Sequence, residues 1–303
     1  MATPMRSTDF RSIVEPILNE EFNGIYEQRA DEWAQVFKEF KGIPRNYHEE
    51  PVLFGFGAAP ELPDGMPVTY QSGGVLFIQR YLYKVYGLAF ALTKVLVEDG
   101  DHIRIGQTYA RHLAQSLIET KETLGANILN RSFTSAYAGG DGVELVATNH
   151  PIANGTFSNK LSTAANLSQT SLEQLLVQIR NAVDNNGKRI RLTPKKLVIH
   201  PANMLNAEVL LKSVLRTGTN NNDLNPIKSA ANLSDVVVIS RMTSPTAWFI
   251  QTDARDGLKV LWRRKLEKAM EGDFETDSVR YKSTMRFGSG WTDWRSMFGN
   301  AGA

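Results

Sequence analysis

The sequence contains no cysteine in its 303 residues. This absence excludes disulfide bridges, thiolate zinc sites, iron–sulfur clusters and a cysteine nucleophile. A chain without disulfides fits a reducing cytoplasm better than it fits a secreted scaffold. The net charge is also small, because 34 lysine and arginine residues oppose 32 acidic residues. A balance of +2 argues against a protein that coats nucleic acid through bulk positive charge.

Long hydrophobic runs are missing as well. The most apolar window, residues 86–97, is interrupted by Lys94 and is far shorter than the ~20 residues that span a bilayer. Residues 1–20 lack the apolar stretch of a signal peptide. They carry charged side chains at Arg6, Asp9, Arg11, Glu15 and Glu20. We therefore expect a soluble protein that is made in the cytoplasm and has no membrane partner.

Recognisable catalytic motifs are absent. None of the five histidines has the HExxH spacing of a zinc site. The segment Gly288–Ser289–Gly290 lacks the first glycine of a GxSxG nucleophile elbow. Gly55–Phe56–Gly57 is followed by Pro60, at the position where a dinucleotide fingerprint has its third glycine. We expect no enzyme activity and no cofactor; the alternative is an enzyme whose active site is built from dispersed residues.

Four carboxylates alternate near the C-terminus, at Glu271, Asp273, Glu275 and Asp277. In an extended strand they would share one face, an arrangement that suits a cation site. A solvated loop or a subunit contact explains the run better, because isolated charge runs are usually solvated. We expect no bound metal.

Charge is unevenly distributed along the chain. Residues 1–50 carry a net charge of −4 and residues 151–200 a net charge of +5. The two regions could meet in trans between copies of the chain, or could form two solvated faces. Two basic clusters are candidates for phosphate contacts or for salt bridges with the acidic region: Lys188, Arg189 and Arg191, and, further along, Arg263 and Arg264.

The first hundred residues predict a helix followed by an extended hairpin. Apolar residues recur at threes and fours over residues 11–41 and predict an amphipathic helix. Glycine and proline punctuate residues 51–75, and residues 75–97 are strand-like with Gly87 as a break. A long hairpin with a Gly/Pro tip is the simplest interpretation.

The rest of the chain mixes helices and strands. A long helix is predicted over residues 101–131 with Asp101 as its cap, and a second helix over residues 171–183 with Ser168 or Ser171 as its cap. Further segments predict strands at 196–200, 236–240, 247–251, 258–262 and 279–287, a helix at 201–215 and a polar loop at 217–225. The pattern is typical of an α+β protein whose late strands pack on the long helix.

Several short motifs occur in an order that resembles the major head subunit, or major capsid protein, of Mu-type tailed phages. The likeness runs over about residues 100–299. The motifs are Asn149–His150–Pro151, Leu167–Ser168, Ser171–Leu172–Glu173, Pro194–Lys195–Lys196–Leu197–Val198–Ile199, Arg286–Phe287–Gly288 and Trp291–Thr292–Asp293–Trp294–Arg295.

This resemblance implies the α+β Hong Kong 97-type capsid fold. The implied divisions are an N-terminal arm (1–50), an extended E-loop hairpin (51–97), a peripheral domain with a spine helix (98–159), an axial domain (160–255) and peripheral return strands (256–303). Because a long helical N-terminal extension is lacking, we expect a separate scaffolding protein or a processed precursor.

The resemblance further implies a virion protein that assembles in the host bacterial cytoplasm into hexamers and pentamers. Expected partners are a scaffolding protein, a portal and packaged double-stranded DNA, which would be contacted weakly and non-specifically. An encapsulin-like compartment is the alternative shell. The residues proposed to contact neighbouring subunits are Trp33, Phe37, Phe54, Phe56, Met66, Tyr70, Trp291, Trp294 and Arg295.

Overall fold

The computed structural model describes residues 7–28, 31–93, 95–96, 102–153, 155–215, 223–230, 233, 235–273 and 278–303. Asp101, Glu275, Asp277 and most of the predicted polar loop at 217–225 lie outside the described residues. No helix in the described part of the chain combines the length and the apolar character needed to cross a membrane.

The described part of the chain contains both helices and strands. The helices are α1 (Ser7–Gln28), α2 (His102–Asn130), α3 (Gln169–Arg180), α4 (Met204–Lys212) and α5 (Pro226–Ala230). The strands are β1 (Lys38–Lys41), β2 (Tyr47–Phe54), β3 (Gly74–Leu82), β4 (Lys84–Thr93), β5 (His150–Ile152), β6 (Gly155–Phe157), β7 (Pro194–Ile199), β8 (Asp235–Val238), β9 (Trp248–Thr252), β10 (Leu258–Asp273), β11 (Ser278–Trp291) and β12 (Met297–Asn300).

The first sheet has the strand order β1-β10-β11-β4 and packs one face on α1 and α2. Strand β1 runs parallel to β10, and the other pairs are antiparallel. Side chains of β11 alternate between the two faces of the sheet, because Tyr281, Met285 and Phe287 are buried while Arg280 and Lys282 are exposed. The predicted packing of the late strands on the long helix is confirmed.

The long helix α2 has nearly the predicted bounds and packs closely on α1. Its Arg111 forms an ion pair with Glu21 of α1 at 2.8 Å. A Cβ added at Gly106 would lie 3.2 Å from Leu18 and 3.3 Å from Leu92. The glycine weakens the helix locally, but it lets α1 and β4 approach α2 closely.

The first helix is shorter than predicted, since α1 ends at Gln28 and the prediction covered residues 11–41. Trp33 lies in a short 3₁₀ turn, and β1 follows it. The Glu122 carboxylate of α2 accepts the backbone N–H groups of Glu32 and Trp33 at 2.7 and 3.2 Å. These long-range contacts stabilise a turn at Glu32 and Trp33, although the spacing of the aromatic residues favours a helix there. The described part of the predicted arm therefore belongs to the body of the molecule.

The second sheet has the order β12-β9-β7-β8 and lies against α3, α4 and α5. Its core facing these helices is built from large apolar side chains, among them Leu197, Ile199, Trp248, Ile250 and Phe298. Ser168 caps α3 by accepting the backbone N–H of Ser171, whose hydroxyl in turn accepts the N–H of Ser168. This capping box fixes the start of the helix.

The C-terminal strand β12 joins the second sheet. Residues 256–303, for which the resemblance implies peripheral return strands, contribute β10 and β11 to the first sheet and β12 to the second, where it pairs with β9. The chain end therefore crosses from one sheet to the other immediately after β11.

Strands β2 and β3 form a separate antiparallel hairpin. The prediction of a hairpin over 51–97 was too long, because β4 belongs to the first sheet. The break between the two parts falls at Tyr83 and not at Gly87. Residues 55–73, which connect β2 to β3 without regular secondary structure, are called the hairpin tip below.

Candidate interaction surfaces

The hairpin tip exposes an unusual amount of apolar surface. Phe56 is 59% exposed, Met66 61% and Tyr70 96%. Neighbouring Leu62 and Val68 are exposed as well. Contiguous exposed apolar patches on soluble proteins commonly mark interaction sites. Three of the predicted contact residues are therefore accessible in the hairpin tip.

The base of the hairpin is fixed to the first sheet by a polar network. The Nζ of Lys259 lies 2.6 Å from Oε2 of Glu50, and the Thr292 hydroxyl donates to the same oxygen at 2.5 Å. Tyr81 bonds to Thr292, and His48 lies 3.2 Å from the other Glu50 oxygen. Burial opposes ionisation of Glu50, but the hydrogen bonds outweigh it, so its pKa lies below the ordinary 4.5. The hairpin base is anchored while the tip is exposed.

Four of the predicted contact residues are buried inside the chain, which corrects their expected role. Trp33 and Phe37 belong to the core shared by the first sheet and α2. Trp294 is 2% exposed. Arg295 is 4% exposed and donates from Nε to the carbonyl of Val183 at 2.6 Å. These side chains stabilise the subunit itself. Aromatic residues are equally suited to a core and to an interface, so residue type alone did not separate the two roles.

The motif around residue 150 meets the C-terminal motif in a buried hub. His150 Nδ1 lies 2.7 Å from Asp141, and Nε2 lies 3.2 Å from Asn159. The imidazole stacks on Trp294 with a centroid distance of 4.4 Å and an interplanar angle of 10°. Both ring nitrogens of His150 have a structural partner in the chain. Two motifs that are distant in sequence therefore form one structural junction.

The basic turn cluster lies between α3 and β7. Lys188 forms an ion pair with Asp184 at 3.6 Å. Arg189 and Arg191 are exposed. The cluster is open to a phosphate or to a carboxylate from another molecule.

The second basic cluster lies far from the first, on β10. Arg264 pairs with Glu267 at 3.1 Å, and Arg263 is half-buried. Three acidic residues near the N-terminus pair with cations outside the two clusters. These pairs are Glu21–Arg111 at 2.8 Å, Asp31–Lys121 at 2.8 Å and Glu32–Arg241 at 3.2 Å.

Trp291 and the half-buried Phe54 are the other predicted contact residues. Phe54 ends β2, where the hairpin tip begins. Trp291 lines a cleft of about 190 Å³ between the C-terminal half of α2 and the ends of β4 and β11, here called the α2 cleft. Lys84 and Arg131 also line it. Sequence reasoning missed both cations, because nothing in their local sequence places them opposite each other.

A metal site is not formed by the described residues, which contain no cluster of three or more suitable ligands. Of the four alternating carboxylates, Glu271 is exposed on β10, and the last two lie outside the described part. The geometry contains interaction surfaces and structural hubs. This is the arrangement of a structural subunit.

A profile of the phage capsid protein family matches residues 81–300. The chain therefore belongs to the phage capsid protein family. A comparison with curated protein sequences gives no match.

Solved structures share the fold at low sequence identity. The capsid of cyanophage P-SCSP1u matches with a TM-score of 0.57 and 13% identity, covering 88% of this chain and 86% of that chain. Mycobacterium phage Patience matches with a TM-score of 0.54 and 12% identity, over 98% and 89%. A virus-like particle from Pyrococcus furiosus matches with a TM-score of 0.51 and 12% identity, over 94% and 98%. At this identity the likeness shows the fold alone, and it confirms the predicted α+β capsid fold.

Proposed function

We propose that this chain is the major capsid protein of a tailed phage or prophage, whose copies assemble into hexamers and pentamers of an icosahedral shell around double-stranded DNA. The observation that carries the proposal is the anchored hairpin with its exposed apolar tip. A surface of this kind needs a partner, and in a capsid protein the abundant partner is another copy of the chain.

The proposed mechanism is self-assembly through complementary surfaces of neighbouring subunits. A ring of identical subunits uses heterologous interfaces, in which one surface meets a different surface on the next copy. The tip extends the contact area of a subunit beyond its body. Several modest interfaces become stable together, because each contact raises the effective concentration of the next.

Scaffolding protein, portal and DNA complete the proposed set of partners. The near-neutral balance of +2 suits a shell that contacts DNA weakly, since tight phosphate binding needs many unpaired cations. The exposed Arg189 and Arg191 are candidates for such weak contacts. Assembly would take place in the bacterial cytoplasm, and the product would be the virion.

Electron microscopy of the purified protein tests the proposal. We expect shells, tubes or rings in negative stain from the wild-type chain. Deleting Gly55–Gly74 should abolish them, because it removes the tip, while circular dichroism and urea unfolding should show an intact core. Normal particles from the deletion variant would contradict the role of the hairpin. A wild-type chain that stays monomeric and turns over a substrate would favour an enzyme instead.

An encapsulin-like compartment is the second candidate, because the fold is also that of the virus-like particle from Pyrococcus furiosus. The family match over residues 81–300 favours the phage capsid. The contents of the purified particles distinguish the phage capsid from the compartment. Co-purified DNA supports the phage capsid, whereas a co-purified enzyme supports the compartment.

A further inference from the structure

A β-bulge brings three arginines together on the first sheet. Trp262 of β10 pairs with Phe287 of β11, and both side chains belong to the core on the helix side of the sheet. The next pair is Arg264 with Arg286, so the register shifts and Arg263 is the extra residue. A bulge sets two residues of one strand against one residue of its partner. Arg263 and Arg264 therefore oppose Arg286.

The three guanidinium groups have few partners within the described part of the chain. Each Nε atom is buried and has no hydrogen-bond partner there. Arg264 has a carboxylate partner in Glu267, whose Oε2 lies 3.1 Å from its Nη1. Arg286 donates from Nη2 to the neutral side-chain oxygen of Asn46 at 3.2 Å. Among the described residues, three positive charges of this group, including Arg263, therefore share one carboxylate.

A buried tyrosine shows that arginines of both strands converge. Tyr83 lies between β3 and β4 and is 7% exposed. Burial raises the pKa of its hydroxyl group, while the backbone of Ile43 and the positive charges of Arg263 and Arg286 oppose that rise. One arginine of β10 and one of β11 thus lie close to the same hydroxyl group. Arg263, Arg264 and Arg286 are called the arginine cluster below.

The arginine cluster is suited to an anion. Like charges that oppose each other across a sheet are destabilising, and partly buried charges are screened by salt less than exposed ones. An anion that accepts hydrogen bonds from the cluster would reduce this repulsion and satisfy the free donors. The planar fork of arginine matches the oxygens of carboxylates and phosphates. A phosphate group suits three guanidinium groups better than a carboxylate does, because it carries more negative charge and more acceptor oxygens.

We propose that the arginine cluster is a phosphate-binding site, which holds one phosphate group either as the free ion or within a nucleic acid. Arg263 and Arg286 bind the phosphate from opposite strands, and Arg264, which Glu267 holds in place, contributes the third guanidinium group. The residues of the site all belong to one subunit. The proposal therefore goes beyond the proposed self-assembly and does not depend on it.

Equilibrium dialysis of the full chain against radiolabelled inorganic phosphate tests the site. We expect one phosphate per chain, and we expect Arg263→Gln/Arg286→Gln to weaken binding at least tenfold. The matched control is Arg189→Gln/Arg191→Gln, which removes the same charge from an exposed cluster and should bind phosphate as the wild type does. Equal weakening in both variants would reveal a general charge effect and overturn the proposal, as would unchanged binding by Arg263→Gln/Arg286→Gln.

Thermal unfolding separates lost binding from a damaged fold. At equal ionic strength, phosphate in place of chloride should raise the melting temperature of the wild type by at least about 2 °C more than that of Arg263→Gln/Arg286→Gln. In chloride the variant should melt no lower than the wild type, since it has lost the repulsion between the arginines. A variant that melts like the wild type and keeps the full response to phosphate would contradict the site.

A short DNA duplex distinguishes the two sources of phosphate. Displacement of labelled phosphate by the duplex would support the site and assign it to nucleic acid. Retention of the label would support the site and assign it to the free ion. A wild-type chain that binds neither probe would overturn the proposal, whether or not it forms particles in electron microscopy.

Discussion

Single buried polar residues hold distant parts of this chain together. The Asn159 amide donates to the carbonyls of Leu145 and Met297 at 2.7 and 2.8 Å, and its oxygen accepts the N–H of Ala147 at 2.8 Å. One side chain thus satisfies three backbone groups from two segments, where water has no access. The family motif beside it, at His150, is therefore explained by packing and hydrogen bonding.

Replacing Asn159 should destabilise the subunit strongly. Each buried backbone group left without a partner costs roughly 1–3 kcal/mol, so losing the partner of all three groups should lower the free energy of unfolding of Asn159→Ala by at least about 3 kcal/mol. Urea denaturation of the unassembled chain measures the change. Asn149, which is exposed beside His150, provides the control. We expect Asn149→Ala to change the free energy of unfolding by less than about 0.5 kcal/mol. Equal urea midpoints for the two variants would contradict the stabilising role of Asn159.

Among the elements, the β2–β3 hairpin combines an anchored base with a solvent-exposed tip. Glu50 belongs to β2, and its partners Lys259 and Thr292 belong to β10 and the segment after β11. This network fixes the direction in which the hairpin leaves the sheet. A partner of the tip then meets a preorganised element and orders fewer residues on binding.

The hairpin anchor should weaken in acid. Because the pKa of folded Glu50 lies below the ordinary 4.5, its contribution is fully present above that value and is lost as the pH falls through the folded pKa. Wild-type protein should exceed Glu50→Gln in stability by on the order of 1 kcal/mol at neutral pH, and the difference should shrink as the pH falls below 4.5.

Thermal unfolding of both proteins across this pH range measures the effect. Glu49→Gln is the control, since Glu49 lies on the same strand and its ion pair with Arg80 is at the surface. A difference between wild type and Glu50→Gln that stays constant with pH would show that the charge of Glu50 is unimportant.

At the scale of the whole molecule, the two sheets are joined by the segment that follows α1. Glu32 accepts the backbone N–H of Ser240 at 2.8 Å and pairs with Arg241 at 3.2 Å. Trp33 shares one hydrophobic core with Phe249 of the second sheet and Trp262 of the first. The two sheets therefore share one hydrophobic core, and relative motion of the sheets would expose it.

Replacing Trp33 tests whether this side chain stabilises the subunit core or a contact between subunits. As a core residue, Trp33→Ala should lower the free energy of unfolding of the unassembled chain by about 3–5 kcal/mol. Tyr70→Ala, at the 96% exposed position in the tip, should leave that free energy unchanged and reduce assembly. Urea denaturation and light scattering measure the two effects. If Trp33→Ala has wild-type stability, the shared core is not what joins the two sheets.

Local periodicity explains the parts of the fold that the sequence predicts well. The length of α2, the Ser168 cap of α3 and the alternation of β11 each depend on residues close in the chain. Exposure of the hairpin tip was predictable for the same reason, because its glycines and prolines exclude regular structure. The order of the family motifs along the chain was visible in the sequence. Their packing into one structural junction could not be predicted from it.

The sequence by itself determined the absence of disulfides, the α+β pattern, the family likeness and the acidic apolar tip. Only the tertiary structure decided that α1 ends at Gln28, that β12 joins the second sheet, and that Trp33 and Trp294 are buried. It also brought Lys84 and Arg131 into one cleft. The physical reason is that these features depend on contacts between residues far apart in the chain, whose energies exceed local helix and strand preferences.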